Sequence, residues 1–206
     1  MRVRPVAQLC LVLGTLALFV SCIGVETEIS FKEDGSGSVV LTYHISRIMA
    51  NLGTVEDGEL IPLPLTEQDF RATVEAVPGL RLRRVTQRAD ERDVSIRAEI
   101  EFDDIEAFSR IESFTDMPAS LDTANDQTVF RQVITSGNEE DYDSESLEMV
   151  DVFFDGYSIA FIISAPRDVV SHNLGDLSAD KRSVTYDVPV VELLRSAEER
   201  ILEVSW

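Results

Sequence analysis

The chain has 206 residues, and its 38 aspartates and glutamates against 18 lysines and arginines give a formal net charge of -20. So acidic a surface repels nucleic acid and anionic membranes, because phosphate contacts need basic groups and the long-range field has the wrong sign; it favours solubility and cationic partners. Cys10, Cys22, His44 and His172 are the whole supply of cysteine and histidine, with no pair at metal-binding spacing.

The first stretch in chain order is Met1 to Gly24. Arg2 and Arg4 precede an apolar run from Val6 to Val20, which ends in Phe19-Val20-Ser21-Cys22. That order is a secretory signal peptide, and the run is shorter than the ~20 residues a spanning helix needs. Phe19-Val20-Ser21-Cys22 resembles the lipobox of bacterial lipoproteins, in which a small residue precedes a cysteine that is lipidated and becomes the new amino terminus. Phe19 departs from the usual Leu. The resemblance implies that residues 1–21 are removed, that Cys22 carries the lipid, and that residues 22–206 form one domain tethered by Cys22. Cys10 then leaves with the signal, and the mature chain has no thiol for a disulfide or for catalysis.

After Gly24, Val25, Thr27, Ile29 and Phe31 alternate with polar residues as in a strand with one buried face. Lys32 to Gly37 reads as a turn and Ser38 to Ser46 as the returning strand. Glu33 and Asp34 belong to that turn, since the spacing of a calcium loop is missing. Arg47 to Leu52 is a short helical candidate, and Gly53 to Leu65, with Pro62 and Pro64, a surface loop. Thr66 to Val77 is a helix, capped by Thr66 and stopped by Pro78-Gly79. Leu80 to Val85 and Val94 to Phe102 are strands of an antiparallel sheet wet on one side. Arg81, Arg83, Arg84, Arg88, Arg92 and Arg97 make this hairpin the one basic island of an acidic chain. They could receive a phosphate head group or an acidic partner; that Arg81, Arg83, Arg97, Glu99 and Glu101 pair across the strands is the preferred reading.

Asp103 to Ile111 is expected to be helical, Leu121 to Asp126 a loop and Gln127 to Ile134 a strand. Gly137 to Glu145 is an acidic loop, without the spacing or glycine of a calcium site. A helix from Ser144 or Ser146 runs through Phe154. Tyr157 to Ser164 is the most continuously apolar strand of the mature chain and should be central, covered on both faces. Asn173 to Lys181 reads as a turn, Ser183 to Val188 as a strand, Val190 to Ser196 as a short helix and Glu199 to Trp206 as the last strand. Together these elements predict a single α+β domain, with helices packed on one face of an antiparallel sheet.

No HExxH, GxSxG or phosphate-binding glycine loop occurs, so no catalytic residue, metal or cofactor is expected. The order of Cys22, the hairpin turn Asp34-Gly-Ser-Gly37, Phe154-Asp-Gly-Tyr157, Ile159 to Ser164 closing on Ala165-Pro166, Val184-Thr-Tyr-Asp-Val-Pro189 and Glu203-Val-Ser-Trp206 resembles the LppM-domain bacterial lipoproteins. The resemblance covers the whole mature chain. It implies a curved antiparallel sheet crossed by helices, similar to lipid-binding helix-grip folds, and carries over no catalytic residues. The second membrane segment that some such proteins have after the domain is not expected beyond Trp206. The functional expectation is a non-enzymatic protein of the bacterial cell envelope, anchored in a membrane and binding a lipid or other apolar ligand. Phe154, Ile159, Phe161 and Ile163 are the candidate contacts. The alternative is a structural or assembly lipoprotein that binds another envelope protein through its acidic surface.

Overall fold

The computed structural model describes residues 24–46, 64, 66–90, 93–111, 115, 117–137 and 156–206. Cys22, the candidate helix 47–52, the acidic loop from residue 138 and Phe154 lie outside them. Alternation builds the first hairpin as expected: β1 (Gly24–Phe31) pairs antiparallel with β2 (Gly37–Ser46), Phe31 opposite Gly37. Gly35 closes the turn at φ +82°, a left-handed value that favours glycine. Asp34 completes it by accepting hydrogen bonds from the Ser36 amide at 3.0 Å and hydroxyl at 2.7 Å.

Helix α1 (Glu67–Glu75) begins with the expected cap. Thr66 Oγ1 accepts from the Asp69 amide, and the Asp69 carboxylate accepts in return from the Thr66 amide. Strands β3 (Leu80–Ala89) and β4 (Asp93–Phe102) follow, β3 four residues longer than expected. The helix expected over Asp103 to Ile111 is a 3-10 helix, Ile105–Arg110, with Asp104 capping it through the Glu106 amide. The expected loop at Leu121 is instead β5 (Ala119–Ala124), which pairs with β6 (Gln127–Thr135) across Asn125 and Asp126, both at positive φ. Asn and Asp tolerate that conformation and make a two-residue hairpin turn. Ala-Ser-Leu-Asp-Thr-Ala has weak strand propensity, which hid the strand. Next come β7 (Ser158–Ser164), the two-residue strands β8 (Ser171–His172), just before the expected turn, and β9 (Asp176–Leu177), inside it, then β10 (Ser183–Pro189), α2 (Val190–Arg195) and β11 (Arg200–Ser205).

These strands make two sheets, ordered β3-β4-β2-β1-β7-β10-β9 and β5-β6-β11-β8. β7 is interior, as expected, but runs parallel to β1, so the larger sheet is mixed rather than antiparallel. Its two faces also differ: Ile159, Phe161 and Ile163 point inward, with Ala160 and Ile162 on the opposite face. One row crosses five strands, Ile100, Val39, Ile29, Ile163 and Val184, each 2 % exposed or less. Burying each such side chain contributes about 1.5–3 kcal/mol.

The α+β expectation of helices covering one face is corrected by the second sheet. Phe130, Leu202 and Val204, all fully buried, belong to one core with the larger sheet. Phe31 of β1 meets Phe130 of β6 at 5.1 Å between ring centroids, and Trp206, after β11, at 5.2 Å. Among the described residues helix cover is local. α1 inserts Phe70 and Val74, with Phe70 stacked on Tyr43 at 6.2 Å, and α2 buries Leu193. The arrangement is thus mostly β, because a second apolar sheet face satisfies the first as well as a helix stripe does.

Candidate functional site

The inward face of β1 and β7 grades from sealed to open along its length. Ile163, fully buried, lies between Ile29 and Val184; Phe161, 6 % exposed, lies between Thr27 and Tyr186. Ile159 lies between Val25 and Val188, and both Ile159 and Val25 are only partly buried. The face therefore loosens toward the Gly24 end, where the parallel pairing sets the starts of β1 and β7 side by side. Three of the sequence-derived contacts, Ile159, Phe161 and Ile163, thus share one strand face, with Ile159 the most accessible.

A polar group flanks this face that the sequence did not suggest. The Tyr186 hydroxyl, one strand over from Phe161, accepts a hydrogen bond from Arg200 Nη1 at 2.9 Å, and the same nitrogen pairs with Glu192 at 2.7 Å. Hydrogen bonds that Arg200 donates to Glu192, and then to Tyr186, hold its pKa above the ordinary value. Only tertiary structure brings α2, β10 and β11 together, so no sequence spacing signals the cluster. Across the sheet, Tyr43 donates to the Pro64 carbonyl, and burial, followed by the Asp69 charge, pushes its phenol pKa up. Tyr43 is a structural anchor, since a buried, neutral phenol with a satisfied hydroxyl offers no acid or base at ordinary pH.

A separate cleft of about 410 Å³ opens between the β1–β2 turn, the 3-10 helix and the β5–β6 hairpin. Glu33, Asp34, Asp103, Asp104 and Glu106 line it over Trp206, and the first four carboxylates are engaged. Asp34 binds Ser36, Asp104 caps the 3-10 helix, Glu33 pairs with Arg167 at 3.4 Å, and Asp103 takes both Arg81 Nη atoms at 2.7 and 2.9 Å. The Ser36 hydroxyl holds the Asp34 pKa below the usual carboxylate range, and Arg81 does the same for Asp103. Among the described residues no group of three or more His, Cys, Asp or Glu is placed to hold a metal ion. The cleft is polar and does not suit an apolar ligand.

The basic island divides. Arg81 and Arg83 both reach Glu101, at 3.6 and 2.7 Å, and Arg97 crosses β2 to Glu28 at 3.1 Å. The cross-strand reading holds for these three. Arg84 and Arg88 are exposed and make no ion pair among the described residues.

The mixed β-sheet closed by a second, smaller sheet is an LppM-like fold. The chain is similar to a solved structure, the NMR structure of the folded domain of the Mycobacterium tuberculosis LppM protein, at TM-score 0.51 and 10 % identity. The match covers 89 % of this chain and 88 % of that one. No family model matches the sequence, and no curated protein does.

Proposed function

We propose that the chain is a non-catalytic lipoprotein of the bacterial cell envelope, anchored by Cys22, whose domain binds a lipid or similarly apolar molecule. The observation that carries this reading is the graded apolar face of β1 and β7, partly open at Val25 and Ile159. Ligand sites of this kind join an apolar wall to a few polar groups at the mouth, a role that Tyr186, Arg200 and Glu192 fit. The LppM-like fold and the lipobox-like residues before Cys22 support the same reading. No helix among the described residues is long and apolar enough to cross a membrane. Native mass spectrometry after incubation with envelope lipid extract should show a bound lipid, weakened by Ile159→Asp. A stable protein that acquires none would end the binding reading. Cys22→Ala should move the protein to the soluble fraction, and its retention on the membrane would end the anchor reading.

A second reading, an assembly protein that docks another envelope protein by its acidic surface, is favoured by the charge of -20 and the carboxylate-lined cleft. In-membrane crosslinking that captures only lipid would count against it.

A further inference from the structure

The edge strand β3 carries exposed arginines in an otherwise acidic chain. Among the described residues β4 is the only strand paired with β3, so alternate backbone amides and carbonyls of β3 point away from the sheet, unpaired. A β-bulge between Leu82 and Arg84 controls which side chains accompany them. Before it, Arg81 stands opposite Glu101 on the outer face; after it, Arg84 faces Glu99, Thr86 faces Arg97 and Arg88 faces Ser95, all on that same outer face. Without the extra residue, simple alternation from Leu80 and Leu82 would turn Arg84 and Arg88 toward the core. The bulge thus keeps Val85 packed on the core and sets the two unpaired arginines out along the free edge.

We propose that β3 is a docking edge for an extended acidic segment of a partner protein, which adds as an outer strand and places carboxylates beside Arg84 and Arg88. Three observations commit the surface to this occupant. The open edge supplies a hydrogen-bond ladder, the mode by which extended peptides join sheets. Charge complementarity selects an acidic strand, and it disfavours a second copy of β3, whose arginines would meet these. A charged edge is also the ordinary protection against aggregation, but in a chain with so large an acid surplus, acids would block self-pairing equally well. An anionic bilayer fits less well, because the sequence Asp90-Glu-Arg-Asp93 that links β3 to β4 carries three acids against one base. The inference does not depend on the lipid anchor or on the apolar face.

The test uses the full-length chain in mild detergent and two fluorescein-labelled peptides, one alternating glutamate with threonine, the other lysine with threonine. The glutamate peptide should bind saturably and the lysine peptide should not, and hydrogen exchange should slow at β3 amides. Arg84→Glu with Arg88→Glu should weaken binding about tenfold or more, because two attractive contacts become repulsive; Arg84→Lys with Arg88→Lys should retain most of it. Circular dichroism of each variant separates a lost contact from a lost fold. Absence of binding, equal binding of both peptides, protection confined to other elements, or binding unchanged by the folded double-glutamate variant would overturn the proposal. So would retention on anionic vesicles through the same two arginines, which would make lipid the occupant.

Discussion

The rings of Phe31 and Trp206 lie 5.2 Å apart, tilted by 37°, and join the end of β1 to the residue that follows β11. Phe31 also meets Phe102 edge-on at 5.6 Å and Phe130 at 5.1 Å, so one side chain ties both sheets together. Phe31→Ala should cost about 3–5 kcal/mol in urea unfolding, the range for emptying an aromatic site in a packed core. Trp206 is the only tryptophan and is 5 % exposed, so its emission reports the same site. The variant's native emission should shift to the red before global unfolding, and an unshifted spectrum would mean that the sheets pack without Phe31.

Gly37 is predicted to be intolerant of any side chain. A Cβ there would stand 2.1 Å from the Ser30 carbonyl oxygen and 2.5 Å from Phe102 Cζ. Gly37→Ala should destabilise by at least about 1–3 kcal/mol, the usual cost of overpacking. Gly79→Ala makes a useful contrast, because its Cβ would meet nothing nearer than Asp103 Cβ at 3.9 Å and only the φ of +91° resists it. That strain costs about 1–2 kcal/mol. Thermal melts of the two variants should rank Gly37→Ala lower.

Stability should fall on acidification through a defined set of carboxylates. Asp34, Glu101, Asp103 and Asp180 all have folded-state pKa values below the ordinary 3.8 of an aspartate or 4.5 of a glutamate, held down chiefly by Ser36, Arg83, Arg81 and Ser178 respectively. A carboxylate whose pKa drops on folding contributes stability that is fully present above its unfolded value and lost as the pH falls through its folded value. The decline should therefore begin near pH 4.5 and continue below 3.8. Arg81→Ala with Arg83→Ala should flatten it, because Glu101 and Asp103 would then titrate near their ordinary values. All of these groups are solvent-screened, so the effect should shrink in high salt. A decline unchanged by the two substitutions would show that other acids control it.

Thr66→Ala removes one half of the capping box on α1 and should cost about 1 kcal/mol. Thr66→Ser should keep most of that stability, because its hydroxyl can reach the Asp69 amide. Hydrogen exchange at α1 amides, faster in the alanine variant alone, would locate the effect.

Legibility in the sequence followed the range over which each signal acts. β1 and β4 alternate strictly, β2 follows β1 across a glycine turn, and α1 has its cap and stop within a dozen residues, so local pattern reached them. The arginine pairs with Glu101 were readable for the same reason, since hairpin neighbours are close in sequence as well as in space. Pattern failed where a single residue changes parity or where long-range pairing decides. The bulge beyond Leu82 hid the second half of β3, and alternation alone would have buried Arg84. Nothing in Ser158 to Ser164 says that its neighbour will be β1, parallel and distant along the chain. The polar cluster of Tyr186, Glu192 and Arg200 is likewise assembled from three elements and has no linear signature.

The parallel pairing of β1 with β7 bears on how the chain can be made. As the polypeptide emerges from the ribosome, β1 can zip to β2 at once, but its other edge stays bare until Ser158 to Ser164 appears, and Phe31 waits longer still for Trp206. Pairings separated by so much chain are slow to form and leave sticky edges exposed meanwhile. A nascent chain halted after β6 is thus a half-sheet with an open apolar flank, so cellular handling of the unfinished polypeptide matters to its yield as much as the stability of the finished one.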